Sequence, residues 1–386
     1  MTERSIRIGG LGPLTLPGLW WAGHELKDGM TLAVEHINGS GGVLGRPLTL
    51  LFEDTQGRPE VGLAAVEKLL GERVHVFAGE FHSVVADNIV ESIQRSSIPF
   101  LCASATMDSV TARRLSVVFR LAPPQSYGWS VYADCLASHG FQHVVALQED
   151  NPYWNGGSRV IEARLHSLGV RFTRLPLTAG STDVAVCIRQ VQGMRSEHSA
   201  PDILLMHVAY PEPFVSLARE ASERGLVPPA CFLGDPAGRV ACQDQWGVVG
   251  TDATSVPFLS YMRSEHPTEE GQRLAKEFKG RFGREPTFVA YEGYDSVLVV
   301  ARACADAGTV DPGAVCNSLR SISVRGSRGT IQFSTEPDGV VHQQWKWPPV
   351  CVVAYARPQQ TFAEADLLWD TEHGDSGRAR LRREAG

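Results

Sequence analysis

The feature that most constrains this chain is a repeated alternation between short apolar runs and amphipathic stretches of about ten to fifteen residues. Ile6–Gly10 reads as a strand. From His24 to Asn38, Leu26, Met30, Ala33, Val34 and Ile37 recur at helical spacing and give one apolar face. Asn38-Gly39 and then Gly41-Gly42 supply a left-handed stop, and Leu48–Glu53 is the next strand. This is a strand–helix–strand unit, whose crossover is expected to be right-handed.

The alternation continues through helix 59–70, strand 74–78, helix 83–95, strand 99–102 and strand 117–121. A second series follows: helix 125–138, strand 143–147, helix 156–168, strand 170–175, helix 182–191, strand 202–206, helix 213–224 and strand 229–233. Two such series predict two doubly wound parallel-sheet α/β lobes. After residue 250 only helices 270–282, 288–307 and 312–319 remain, with strand-like "RGTIQFSTEPDGVV" and "VCVVAYARP". They are too few for a third domain, so the chain is expected to return to lobe 1 with the helices and end on lobe 2 with the strands. The expected division is 1–121 plus 257–330 for lobe 1 and 122–256 plus 331–358 for lobe 2. Residues 359–386 are charged, lack a sustained apolar period and are expected to form a loosely ordered tail.

At 386 residues both lobes can bury cores, and a composition 43% hydrophobic and 20% charged is that of a globular protein. The net charge of -7 gives no footprint for nucleic acid or an anionic membrane, and no apolar run is long enough for a membrane span. None of the eight cysteines stands in C-x-x-C spacing, which suits free thiols in a reducing compartment. Gly and Pro interrupt the apolar N-terminal stretch and a strand already begins at Ile6, so no secretory signal is read there. The sequence as written is therefore expected in the cytoplasm, or outside it if the true start lies upstream of Met1.

In open parallel sheets ligands bind beyond the carboxyl ends of the strands, where helix N-termini offer free N–H groups. Those ends carry "LGPLTLPGLWW", "GEFHS" and "ASAT" in the first series and "EDNPYW", "HVAYPEP" and "LGDPAG" in the second. Small hydroxyls gather on the first lobe, and aromatics with a carboxylate on the second. At this point the chain resembles the type I periplasmic binding proteins of the branched-chain amino acid (Leu/Ile/Val) class, which includes amide- and urea-sensing members. The matching features run in family order from Ile6 to about Ala356: "GPLT", "LAVEHINGSGGVLGRPLTL", "EDTQGRP", "SSIPFLCASAT", "TD" at 182–183, "PDILL", "AYEGYDSV" and the late "GTIQF…DG". The resemblance implies a two-lobed Venus-flytrap fold with three hinge crossings, placed near Leu121, Thr251–Pro257 and Thr330–Phe333.

It also implies ligand contacts. Ser83 at a helix start, with Ser104 and Thr106, falls where amino-acid binders hold the ligand carboxylate. Hydroxyls beside free amides suit that charge, although Ser83 also fits a plain helix cap. Tyr153 and Tyr210 fall at aromatic positions that close over ligand, with Trp154 where the family has Gly and Trp20 on the first loop. Core packing is the other reading of these rings. Asp235 falls near the acid that meets a ligand ammonium, or caps a helix. His82 departs from the small residue usual beside Ser83.

Other chemistries lack their motifs. His139 and His143 are separated by Gly140 and do not share a helical face as metal ligands. "GGLGPLT" lacks the third glycine of a dinucleotide loop, and neither a P-loop nor a nucleophile elbow occurs. The expectation is a non-enzymatic solute-binding protein without cofactor that captures an amino acid or amide-like ligand for an ABC importer, with a permease as partner. The alternative is a cytoplasmic amide-type sensor that controls a regulatory protein.

Overall fold

The alternation in the sequence becomes two parallel sheets in the computed structural model. It describes residues 5–177, 184–196, 203–208, 216–217, 220, 223–224, 257–263, 268–335, 341–346, 348–358, 360, 362–371 and 374–375. Strand β1 (Ile6–Gly12) pairs in parallel with β2 (Leu48–Asp54) on one side and β3 (Val76–Gly79) on the other. Strands β4 (Phe100–Cys102) and β5 (Val118–Arg120) continue the sheet, giving the order β2-β1-β3-β4-β5. Successive connections leave β1 toward opposite edges, so the carboxyl ends of β1 and β3 form a switch point. Helices α1 (Trp20–Gly39), α2 (Pro59–Gly71), α3 (Ser83–Ser96) and the short α4 (Ser109–Ala112) connect these strands.

The second parallel sheet repeats the pattern. Helix α5 (Gln125–Ser138) precedes β6 (His143–Glu149), α6 (Pro152–Ser167), β7 (Arg171–Leu177), α7 (Val184–Ser196) and β8 (Ile203–His207). Its order, β7-β6-β8, places a switch point at the carboxyl ends of β6 and β8. The fold class read from the sequence is therefore the one observed.

The rest of the chain is shared between two compact units, residues 1–124 with 266–348 and residues 125–265 with 349–386. Helices α8 (Glu269–Phe282), α9 (Phe288–Ala307) and α10 (Pro312–Ser321) belong to the first unit, with the hairpin of β10 (Val324–Arg325) and β11 (Thr330–Ile331). Thr268, Thr287 and Asp311 cap the three helices, each accepting a backbone N–H from the first turn. Helix α9 is buried nearly all round and packs against α1. A Cβ at Gly29 would collide with the Ala290 carbonyl and one at Gly293 with that of Leu26, so the two glycines permit the close crossing.

Three expectations are corrected here. The third change of unit falls after Pro348, not at Thr330–Phe333. Residues 331–346 stay with the first unit because Gln344 accepts from Arg120 Nε at 2.5 Å and Trp345 N donates to the Arg120 carbonyl. The second change falls after Glu265, among residues outside those described, and the first after Pro124. The supposed loose tail contains β13 (Asp366–Asp370), which pairs antiparallel with β12 (Cys351–Ala354) and with β14 (Gly374–Asp375). Strand β9 (Phe258–Ser260), absent from the sequence reading, takes the other edge of β12.

Candidate functional site

At the switch point of the first sheet the chain leaves β3 through Gly79 and Glu80, both at positive φ (110° and 63°). The left-handed region is unfavourable for a glutamate and is maintained here by surrounding bonds. Glu80 N donates to the Leu11 carbonyl at 2.6 Å and its carbonyl accepts from Ser104 N at 3.2 Å, tying β1, β3 and the loop after β4 together. The side chain is fully buried. Its Oε1 accepts from Phe81 N at 3.0 Å and His82 N at 2.8 Å, while Oε2 has no hydrogen-bond partner. Burial pushes this carboxyl up to about 7, against the opposing pull of the His82 N–H, the Thr55 hydroxyl and the Phe81 N–H.

The residues singled out in the sequence distribute as follows. Ser83 is the first residue of α3 and His82 its cap position, with no side-chain capping bond. The plain-cap reading of Ser83 is thus not what is seen: Ser83 Oγ accepts from Thr106 N at 2.9 Å and Met107 N at 3.3 Å. It fixes the loop after β4 and keeps only its own hydrogen to offer. Thr106 and Ser104 are buried, at 3% and 5% exposure, yet neither hydroxyl has a hydrogen-bond partner. From behind, Arg120 Nη1 donates to the carbonyls of Thr106 at 3.2 Å and Met107 at 2.6 Å. Three hydroxyls and a buried acid therefore gather on one rigid edge.

His82 has a structural task. Its Nε2 accepts from Leu19 N at 3.0 Å and so anchors the loop after β1, and burial lowers its pKa to about 4. The ring is neutral at physiological pH, with Nδ1 carrying the proton. Trp20 is not on a loop: α1 begins four residues earlier than the spacing predicts, and Trp20 opens it, 47% exposed, with its ring edge-on to His24. Its neighbour Trp21 turns inward against Phe81, at 5.8 Å between ring centroids, with an unpartnered Nε1.

In the second unit Tyr153 and Trp154 lie in the first turn of α6, not on a loop, because Asn151 caps the helix through Trp154 N and Pro152 starts it. Tyr153 is partly exposed and edge-on to Trp154, which is buried and stacks on His207 at 5.2 Å and 5°. Trp129 closes the other side of His207 at 5.0 Å. Gln148 Nε2 donates to Asn155 at 2.7 Å, so its oxygen accepts from Ser158, and Ser158 Oγ in turn accepts from His207 Nδ1 at 3.0 Å. Burial holds His207 at about 3, and its Nε2 has no partner. Tyr210 and Asp235 lie outside the described residues.

Sequence reasoning missed Glu80, Arg120, Trp129 and His207, and it missed Glu292 of α9. The signals were an acid directly after an apolar strand in "AGEFHS", an arginine inside "VVFRLA" and a histidine ending "ILLMH". A groove of about 270 Å³ between α1 and β2, lined by Lys27, Thr31, Val34, Glu35, Leu50 and Phe52, contains no unpartnered buried polar atom and is not the candidate site. Among the described residues no cluster of His, Cys, Asp and Glu is arranged to hold a metal, and no helix is long and apolar enough to cross a membrane.

The doubly wound fold has known counterparts. Residues 5–347 match the family model described as periplasmic binding protein. A Leu/Ile/Val-binding protein homolog from Brucella melitensis is 24% identical over 86% of this chain and 88% of its own length. The leucine-binding protein LivK of Thermotoga maritima superposes with a TM-score of 0.79 at 19% identity, covering 97% of this chain and all (100%) of that one. A solute-binding protein of an ABC transporter from Rhodopseudomonas palustris, solved with 3,4-dihydroxybenzoic acid, gives 0.80 at 18% identity over 98% of this chain and 100% of its own. With the family model covering most of its length, the chain belongs to the periplasmic binding protein family.

Proposed function

We propose that the protein is a solute-binding protein that takes a small carboxylate-bearing ligand, an amino acid first of all, at the carboxyl edge of its first sheet. The observation that carries this reading is the buried Thr106 hydroxyl, Oγ1, left without a hydrogen-bond partner on a loop pinned by Ser83 and Arg120, with the buried Ser104 hydroxyl two residues before it. An unpartnered buried polar atom costs about 1–3 kcal/mol, and a ligand oxygen accepting from it recovers that cost. The named ligands of two similar proteins, leucine and dihydroxybenzoate, share a carboxylate, which supports the same chemistry here.

The reading extends to Tyr153, Tyr210 and Asp235 as ligand contacts of the second unit, and to an ABC permease as partner, on the family resemblance alone. Ligand binding then shifts the protein's conformational equilibrium by its differential affinity for the states it joins.

Thermal unfolding against L-amino acids, aromatic acids, small amides and urea tests the proposal. A ligand at 100 times its dissociation constant adds about 2.7 kcal/mol of stability. Thr106→Val replaces an unpartnered hydroxyl by a methyl group, so the expected stability change is within about 0.5 kcal/mol while affinity falls about tenfold. Undiminished affinity in Thr106→Val removes this residue from the site. A response to amides with none to carboxylates favours the sensor over the importer.

A further inference from the structure

Glu292, on α9, is fully buried and has one oxygen committed: Oε1 receives Arg328 Nη1 at 3.1 Å. Its other oxygen, Oε2, has no hydrogen-bond partner. The Ser104 hydroxyl is near enough to this carboxyl to exert a hydrogen-bonding pull on it, and Ser104 Oγ has no other hydrogen-bond partner. A buried carboxyl oxygen and a neighbouring buried hydroxyl thus have one hydrogen to share. The pair is saturated only when a second hydrogen is present, either on Glu292 or from a ligand.

We propose that Glu292 is a positioning residue for Ser104, and that the proton on Glu292 decides whether Ser104 offers the ligand a donor or an acceptor. This rests on the carboxyl-edge site proposed above. With Oε2 protonated, Glu292 donates to Ser104 Oγ and frees the Ser104 hydrogen for a ligand carboxylate oxygen. With Glu292 ionised, its proton goes to solvent, Ser104 donates inward, and only lone pairs are left for the ligand. The first state fits a carboxylate; the second repels it and fits an N–H donor such as an amide.

The charges facing Glu292 make the protonated state accessible near neutrality. Arg328 is shared with Asp295 on the same helix, whose Oδ2 lies 3.3 Å from Arg328 Nε and whose Oδ1 accepts from Ser327 N at 2.6 Å. Two buried carboxyls therefore divide one guanidinium. From β4 the Cys102 thiol is held up at about 12 by burial and stays uncharged, and it senses Arg120, Glu80 and Glu292 together. Burial pushes Glu292 up to about 7, against the pull of Arg328 and the Ser104 hydroxyl, and Asp295 is also raised.

The test is calorimetric binding of L-leucine to the full chain from about pH 6 to about pH 8.5, for wild type, Glu292→Gln and Ser104→Ala. One linked proton weakens binding by up to about tenfold per pH unit above the carboxyl pKa. The side-chain amide introduced by Glu292→Gln holds a permanent N–H donor toward Ser104, so this variant is expected to lose the pH dependence, as is Ser104→Ala. A flat wild-type profile, or an unchanged slope in Glu292→Gln, overturns the proposal.

Infrared spectra of the ligand-free protein separate this idea from the choice of ligand. The protonated-carboxyl C=O absorption at about pH 6, which Glu80 shares, is expected to lose one component in Glu292→Gln, and in the wild type that component fades as pH passes through about 7. If leucine and every other carboxylate fail to bind while that component is present, the ligand reading falls and the placement of the proton stands. If no component depends on Glu292, the positioning role is refuted whatever binds.

Discussion

The two units place opposite chemistry at equivalent points of the same topology. At the β1/β3 switch point an acid, Glu80, is buried among backbone N–H groups and hydroxyls and is pushed up to about 7. At the β6/β8 switch point a base, His207, is buried between two indoles and is held at about 3. Burial suppresses charge in both, through protonation in one and deprotonation in the other. The first edge retains unpartnered hydroxyls for a ligand, whereas at the second, among the described residues, a relay from His207 Nδ1 to Asp150 leaves only ring nitrogens, His207 Nε2 included, unpartnered between packed aromatic rings. The topology fixes where a site forms; the side chains decide whether that place binds or braces.

The largest expected effect is on the bracing side. Trp154→Ala removes the ring stacked on His207 and is expected to cost about 3–5 kcal/mol in urea unfolding, with the His207 imidazole titrating closer to 6.5 by NMR. A cost under about 1 kcal/mol would show that this end is not packed as a core. On the binding side, Arg120→Met leaves the Thr106 and Met107 carbonyls without their donor and is expected to cost about 3 kcal/mol. Loss of ligand affinity beyond what destabilisation explains would show that the loop needs this anchor. Equal affinity in folded protein would break the link.

The smallest effect is also the sharpest contrast. Glu80 and Glu292 bind protons more tightly folded than unfolded, so the stability they contribute is complete below about 4.5 and is lost as pH rises through about 7. His207 binds its proton more weakly when folded, so its contribution is complete above about 6.5 and is lost as pH falls toward about 3; His82, near 4, acts in the same sense within the first unit. Each group changes stability by at most about 1.4 kcal/mol per pH unit inside its window. Glu80→Gln is expected to flatten the neutral limb of a pH–stability curve and His207→Gln the acidic limb. If both variants flatten the same limb, the two switch points are not opposites.

Much of this architecture was legible because period and punctuation report it directly. Helix α9 appears over the residues its spacing predicts, since Thr287 caps it and Gly308 stops it in the left-handed region. The start of α1 was missed because Trp20 and Trp21 precede the regular apolar spacing and face differently, one outward and one inward. Strand β13, "DLLWD", was hidden in a charged stretch because it acquires strand character only by pairing with β12. Ser83, Ser104 and Thr106 were legible as hydroxyls at strand ends. Glu80 and Glu292 stood in motifs already picked out, but a sequence shows a charge without its burial, and burial is what gives these two acids their chemistry.

The pairing of β12 with both β9 and β13 has a consequence for biosynthesis. Ser260 leaves the ribosome about ninety residues before Cys351, which at roughly 5–20 residues per second is a wait of about 5–20 s. Throughout that interval β9 has no partner from β12, while the strands of the first sheet have all been made. The second unit therefore completes its antiparallel sheet only once β13 and β14 have been made, and a stop codon just after Pro358 would leave one edge of β12 bare, an invitation to intermolecular strand pairing.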